Sequence, residues 1–148
     1  MDEQELHLFI DIVNQYFESQ ASRPPEMGSP YLGEPNALPI YDFTGVIGIS
    51  GERQGCVYFT AHRDLLRQLL LHVGESDISD GNLSDLVGEI ANTIAGNARR
   101  HFGPNFMISV PVVVDGNARA IQVPRSVKAY ILPLRWHKLE AALVVSLT

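Results

Sequence analysis

A carboxylate and an amide, Glu89 and Asn92, are the residues of this sequence whose types and spacing could most readily do chemistry. They are predicted to lie in one helix over residues 82–103, and side chains three residues apart are neighbours on a helix surface. A carboxylate can pair with a cation, and an amide can donate and accept hydrogen bonds at the same time. Side by side, the two suggest a surface that another molecule approaches closely.

Two glycines, Gly88 and Gly96, flank this pair on the same helix. A glycine inside a helix costs about 1 kcal/mol relative to alanine, and clearing space for a partner would be one reason to keep it. Asp85 and Arg99 are predicted to lie on the same polar face. The spacing of the pair alone is also explained by an ordinary solvated helix face, because any long helix offers several such neighbours.

An apolar stripe on the opposite face of this helix predicts the surface that packs in the core. Its residues recur at i, i+3, i+4 and i+7, namely Leu83, Leu86, Val87, Ile90, Ile94 and Ala98. Asn82 is predicted to cap the start of the helix, with Asp85 as the third residue of a capping-box variant. Gly103 and Pro104 are predicted to end the helix.

The rest of the chain supplies the elements that must position this helix. An amphipathic helix is predicted over residues 2–19, followed by a loop over residues 21–39 whose prolines and glycines exclude a regular helix or a central strand. The remaining patterns predict, in order, strands at 42–50 and 55–61, a short helix at 64–73, a strand at 106–114, a shorter strand around 118–123, and a hairpin of 127–134 with 139–147.

This order of elements predicts an α+β fold, with an antiparallel sheet and the helices packed on one of its faces. The 148 residues are expected to form a single domain, 1–148, which is long enough to bury a core without disulfides or metals. Each half of the chain begins with a helix and continues into strands. This similarity suggests an internal repeat, although no matching residue pattern accompanies it.

Composition narrows the classes of function. The net charge of −6 argues against nucleic-acid binding, and the absence of a signal peptide or a long apolar stretch predicts a cytoplasmic protein with no membrane attachment. Cys56 is the only cysteine and lies in an apolar run, so we expect a buried side chain rather than a nucleophile. The five histidines lack metal-site spacing, so no bound metal or cofactor is expected.

The sequence around the polar pair, GEIANTIAGN at residues 88–97, resembles the E-x-x-N-x-x-x-G signature of the CheC/CheX/FliY chemotaxis phosphatases and is most similar to that of CheX. Residues 47–51 and 55–59 resemble the paired strands of that family. Residues 108–113 resemble the strand that follows its motif helix. The likeness therefore extends over most of the chain, from about residue 42 to the end.

The resemblance implies a CheC-like fold and a phosphatase that removes the phosphoryl group from the aspartyl phosphate of a CheY-like response regulator. It implies that Glu89 contacts the receiver's lysine, and that Asn92 orients a water for in-line attack. Phosphoryl transfer needs positioning and charge stabilisation more than covalent chemistry from the protein. The Mg²⁺ that neutralises the phosphate is expected in the partner receiver domain. The further residues expected to contact the receiver are Asp85, Gly88, Gly96 and Arg99.

Two other expectations accompany the resemblance. It implies a homodimer, for which the apolar strand at 141–147 is a candidate edge. Some relatives carry two motifs, whereas this chain has one clear copy, and Asp11 with Asn14 on the first helix is interpreted as a solvated face. The competing hypothesis is a binding module of the same fold, which contacts a receiver or signalling protein without hydrolysis. A small-molecule enzyme has no motif in its favour.

Overall fold

The structure is a computed structural model that describes residues 1–34, 36–116 and 127–148. Within these residues it is an α+β fold with an antiparallel sheet, as the sequence predicts. The elements, in chain order, are α1 (Glu3–Ala21), β1 (Glu26–Met27), β2 (Tyr31–Gly33), β3 (Phe43–Gly51), β4 (Gly55–Ala61), α2 (Arg63–His72), α3 (Asp80–Phe102), β5 (Phe106–Ile108), β6 (Val112–Asp115), β7 (Ala129–Trp136) and β8 (Leu139–Leu147).

The strands form one sheet in the order β1-β7-β8-β4-β3-β5, in which β2 also pairs with β7 and β6 also pairs with β3. Every described pairing is antiparallel. The centre of the sheet is built from two hairpins, β3–β4 and β7–β8, which are joined where β4 pairs with β8 along its whole length. These long central pairings give the helices a continuous surface.

The three helices contribute to one hydrophobic core on one face of this sheet. Helix α1 contributes Phe9, Val13 and Phe17 to this core. They recur at helical spacing, as predicted, and are fully buried. The opposite face of the sheet carries a smaller apolar cluster around Tyr58 and Val144, against which Leu38 packs. The helices therefore share one layer, and α3 is held from below by the sheet and from the side by α1 and α2.

Helix α3 lies close to β3 because a glycine faces it. A Cβ added at Gly45 would lie 2.6 Å from the carbonyl oxygen of Val87, closer than real Cβ atoms approach. The predicted apolar stripe of α3 is buried against this strand, except that Leu86 is only partly buried. This contact between α3 and β3 determines which face of α3 is exposed to solvent.

The predicted start of α3 is wrong. The helix begins at Asp80 with Ser79 as its N-cap residue, because the chain continues in helical geometry through Gly81, and the backbone N–H of Leu83 donates to the Ser79 carbonyl at 3.0 Å. The Asn82 side chain donates instead to the carbonyl of Asp77 at 2.9 Å. Asp85 therefore lies inside the helix and is not part of a capping box.

The strand predicted at 106–114 is interrupted, and forms β5 and β6 on either side of residues 109–111. Ser109 holds the interruption against β3, since its hydroxyl accepts a hydrogen bond from the backbone N–H of Gly48 at 2.8 Å. Pro111 has no N–H to donate to a strand ladder, which accounts for the break. The short strand predicted around 118–123 lies outside the described residues.

The prediction that 141–147 is an edge strand is wrong. These residues belong to β8, which pairs with β4 on one side and β7 on the other, so its backbone groups are already satisfied. The loop predicted at 21–39 forms β1 and β2, which run beside β7 at one border of the sheet. Pro25 comes directly before β1 and Pro30 directly before β2, so neither short strand contains a proline.

Candidate functional site

The face of α3 opposite the core presents Glu89 and Asn92 to solvent, one helical turn apart. Ile90 and Ile94, on the buried side of the same helix, are 0% exposed. Because α3 is anchored by this apolar stripe, the orientation of the two polar side chains is set by the core rather than by their own contacts. The face therefore offers a carboxylate and an amide in a fixed relation.

The two glycines beside the pair have different surroundings. A Cβ at Gly96 would have nothing within 4 Å, so this position is an open notch in the helix surface. Gly88 is buried, and a Cβ there would lie 2.9 Å from Cγ2 of Val113. The lack of a side chain at Gly88 is thus explained by packing within this chain. Its expected contact with a receiver stays a prediction, as does that of Gly96.

Arg99 and Asp85 lie at opposite ends of this face. The Arg99 guanidinium donates to the carbonyl of Phe106 at 3.1 Å and to that of Pro104 at 3.3 Å, so it ties the end of α3 to the following turn. Asp85 is exposed, one turn before Glu89. Both side chains border the candidate site, and their contact with a receiver remains a prediction.

Sequence reasoning missed Tyr16, which α1 places beside the polar face. The tyrosine is largely buried, and burial followed by the nearby Glu89 carboxylate raises the pKa of its hydroxyl, which stays protonated at neutral pH. Tyr16 lines a groove between α1 and α3 together with Thr93 and Asn97. The only sequence signal was the helical spacing of Tyr16, which predicts burial and not proximity to Glu89.

A second groove runs along the other side of the face, toward β5. It is lined by Asn92 and Gly96 and, further along, by Arg100, Gly103 and Ile108. This groove and the groove toward α1 lie on opposite sides of Asn92 and the Gly96 notch, so both positions are open to a partner. A rigid partner could therefore reach Asn92 without any movement of this chain.

Exposed apolar side chains also occur at the edge of the sheet formed by β5 and β6, where Val112 pairs with Val46 and faces away from α3. Val110 is 79% exposed, Val112 60% and Met107 55%, and all three belong to the β5–β6 segment. Contiguous exposed apolar surface is typical of interaction sites. Among the described residues, β5 and β6 pair with β3 alone.

In the part of the chain that the structure describes, the polar pair is accompanied by neither a metal-binding cluster nor a reactive cysteine. Within the described ranges, no group of three or more histidine, cysteine, aspartate and glutamate side chains could hold a metal ion. Burial raises the pKa of the Cys56 thiol to about 11, which makes it a poor nucleophile. What the face can do is pair a carboxylate with a cation and hold a water or a phosphoryl oxygen by an amide.

The described helices all fall short, in length or in apolar character, of what crossing a membrane requires.

Solved structures share this architecture. A CheC-like superfamily protein from Shewanella sp. PV-4 is 25% identical, with a TM-score of 0.87 over 100% of this chain and 99% of that one. The chemotaxis protein CheX from Vibrio vulnificus is 21% identical, with a TM-score of 0.84 over 98% and 99%. In a CheX–CheY–BeF3–Mg²⁺ complex from Borrelia burgdorferi, the matching chain is 18% identical, with a TM-score of 0.78 over 97% of each chain.

The fold and the exposed Glu-x-x-Asn helix face define a CheC-like protein, as the sequence resemblance predicts. The family model of the chemotaxis phosphatase CheX matches residues 43–135, so this chain belongs to the CheX family. None of the curated protein sequences matches this chain. The matched range contains α3, which carries Glu89 and Asn92, and it also contains β5 and β6.

Proposed function

We propose that this protein dephosphorylates the aspartyl phosphate of a CheY-like response regulator. The observation that carries the proposal is the pair Glu89 and Asn92, exposed side by side on α3 beside the open notch at Gly96. Membership of the CheX family supports it, and so does the Borrelia burgdorferi structure, in which a chain of this fold is bound to CheY.

In this proposal the two side chains have different roles. Glu89 pairs with the receiver's lysine and docks the receiver over α3. Asn92 then enters the receiver's site, where its amide oxygen accepts a hydrogen bond from a water and its amide N–H donates to a phosphoryl oxygen. The water attacks phosphorus in line, the phosphorus–oxygen bond to the aspartate breaks, and inorganic phosphate leaves.

The receiver supplies the rest of the chemistry. The receiver's Mg²⁺ neutralises charge on the phosphoryl group. This chain contributes position, because holding reacting groups in a fixed geometry removes an entropic part of the barrier. The rigid seat of α3 on β3 serves that role, since Asn92 gains its precision from the buried face of its own helix.

We further propose that the protein forms a homodimer through the β5–β6 edge. In the part of the chain that the structure describes, this edge pairs with β3 only and carries the exposed side chains of Met107, Val110 and Val112. Edge strands of this character pair readily with another strand. A second copy would bury this apolar surface.

The test is to mix the protein with a panel of phosphorylated CheY-like receivers from the same organism and to follow phosphate release. We expect accelerated release from at least one receiver, proportional to the amount of protein added. If a receiver binds but its phosphate is lost only at the intrinsic rate, the competing binding-module hypothesis is correct and the proposed hydrolysis is wrong.

A further inference from the structure

The polar face of α3 continues beyond Asn92 to a charge that the sequence motif does not include. Successive helix residues rotate by about 100° and rise about 1.5 Å. Gly96 and Arg100, seven and eleven residues after Glu89, therefore lie within about 20° of one line along the helix. This stripe has the Glu89 carboxylate at one end, the Gly96 notch in its middle and the Arg100 guanidinium at the other end, and the Asn92 amide lies about 60° to one side of it.

Arg100 is the cation on this stripe that is available to another molecule. It is exposed, lines the groove that runs from Asn92 toward β5, and takes part in none of the ion pairs among the described residues. Its neighbour Arg99 differs, because its guanidinium is occupied by the carbonyls of Phe106 and Pro104. Arg99 therefore holds the end of the helix, while Arg100 points its charge outward.

We infer that Arg100 is a second docking contact, which pairs with a carboxylate on the receiver displaced along the α3 axis from the phosphoryl group by about 12 Å, the rise of the eight residues from Asn92 to Arg100. The inference rests on the proposed phosphatase function. It makes the stripe bipolar, so a receiver needs a cation opposite Glu89 and an anion opposite Arg100. Two charges of opposite sign at the ends of one line fix both the position and the direction of the partner.

The overall charge of the chain gives this contact additional weight. The chain carries a net charge of −6, so its overall field disfavours the approach of an anionic phosphoryl group. The basic residues of the last turn of α3, Arg99, Arg100 and His101, create a local exception on the motif helix. Arg100 would thereby favour receivers with an acidic patch at that distance and reject receivers with a basic patch.

A purely structural role for Arg100 makes a different prediction. A cation in the last turn of a helix stabilises it through the helix dipole. In that case its removal would lower the melting temperature and leave the affinity for the receiver unchanged. If Arg100 is a docking contact, its removal instead lowers the affinity for the receiver and weakens the salt dependence of binding.

The experiment compares Arg100→Gln, Arg100→Lys and Arg100→Glu with Lys138→Gln, which removes one positive charge at the turn between β7 and β8. The probe is a panel of CheY-like receivers loaded with beryllofluoride and Mg²⁺ for binding, and with phosphate for turnover. For Arg100→Gln we expect Kd and KM to rise about two- to fivefold with kcat unchanged, the effect of an exposed ion pair. Arg100→Lys should retain most of the affinity, Arg100→Glu should lose more than Arg100→Gln, and Lys138→Gln should match the wild type.

The outcomes separate this inference from the function on which it rests. If wild-type protein binds a loaded receiver without hydrolysing phosphate, the proposed phosphatase is wrong, and the Kd series still decides the role of Arg100. If Arg100→Gln binds like Lys138→Gln, or if only its melting temperature changes, the docking contact is wrong. If no receiver in the panel binds the wild type, both proposals are overturned together.

Discussion

At the residue scale, the site depends on two side chains on one exposed helix face, and these side chains have different roles. Glu89 carries a charge and acts through long-range attraction, whereas Asn92 is neutral and acts through hydrogen bonds at contact distance. Tyr16 adds a protonated hydroxyl near Glu89, which leaves the carboxylate as the charged group of this part of the site. Substitutions at the two motif positions should therefore have separable effects.

Glu89→Gln should weaken docking while the protein remains folded, because the exposed side chain supports no core contact. We expect KM for a phosphorylated receiver to rise up to about fivefold, as for loss of one exposed ion pair. Added salt should raise the KM of the wild type more than that of the variant, since salt screens the charge that the variant lacks.

The control for this change is Glu34→Gln, which removes an equal charge beside β2 at the far border of the sheet. Steady-state kinetics over a series of salt concentrations distinguishes the two variants. A Glu89→Gln protein with the KM and the salt response of the wild type would mean that Glu89 does not pair with a cation on the receiver.

At the element scale, α3 was the part of the chain that the sequence predicted best. Its stripe repeats over many turns, so its buried face followed from periodicity alone. The start of the helix could not be predicted in this way, because Ser79 and Asn82 are both acceptable N-cap residues. The choice between them depends on where Leu83 enters the core. The break between β5 and β6 was also missed, since Pro111 reads as part of a continuous β-prone run until β3 is placed beside it.

Gly96→Ala should stabilise the fold and impair the function. A Cβ at this position meets no other atom within 4 Å, and alanine favours a helix by about 1 kcal/mol over glycine. We expect the free energy of unfolding in urea to rise by about 0.5–1 kcal/mol. The same methyl group fills the notch beside Asn92, so the acceleration of receiver dephosphorylation should fall.

Gly81→Ala provides the matched control, because Gly81 is a second exposed glycine of α3 near its start, away from the motif. It should raise stability without changing the reaction. If Gly96→Ala is more stable and fully active, the notch is not used by a partner, and the expected role of Gly96 is wrong.

At the scale of the whole molecule, the order of the strands was the least predictable feature. Residues 141–147 are predicted to be an apolar edge when only their own composition is considered. They lie at the centre because β4, far away in sequence, pairs with them, and such long-range pairings leave no local pattern. Among the described residues, the outermost strands of the sheet are different ones, with exposed Val112 at one border and exposed Leu32 at the other.

This arrangement locates the proposed dimer contact. Val112→Lys places a charge on the exposed face of β6, where a charged edge residue opposes strand addition. We expect light scattering at micromolar concentration to show a dimer for the wild type and a monomer for Val112→Lys. Leu32→Lys, at the opposite border of the sheet, should remain dimeric. A monomeric wild type at every concentration would remove the dimer proposal and leave the site unaffected.

The central claim is that Asn92 positions the attacking water, and its replacement by alanine tests that claim most directly. Phosphate release from a phosphorylated receiver is measured with the wild type, Asn92→Ala and Asn97→Ala, the last being the same change five residues further along α3. Loss of one transition-state hydrogen-bonding group should reduce the accelerated rate by about 10²–10³-fold. The fold and the affinity for a beryllofluoride-loaded receiver should be retained, and Asn97→Ala should keep most of its activity. An Asn92→Ala protein that dephosphorylates every receiver as fast as the wild type would contradict the account.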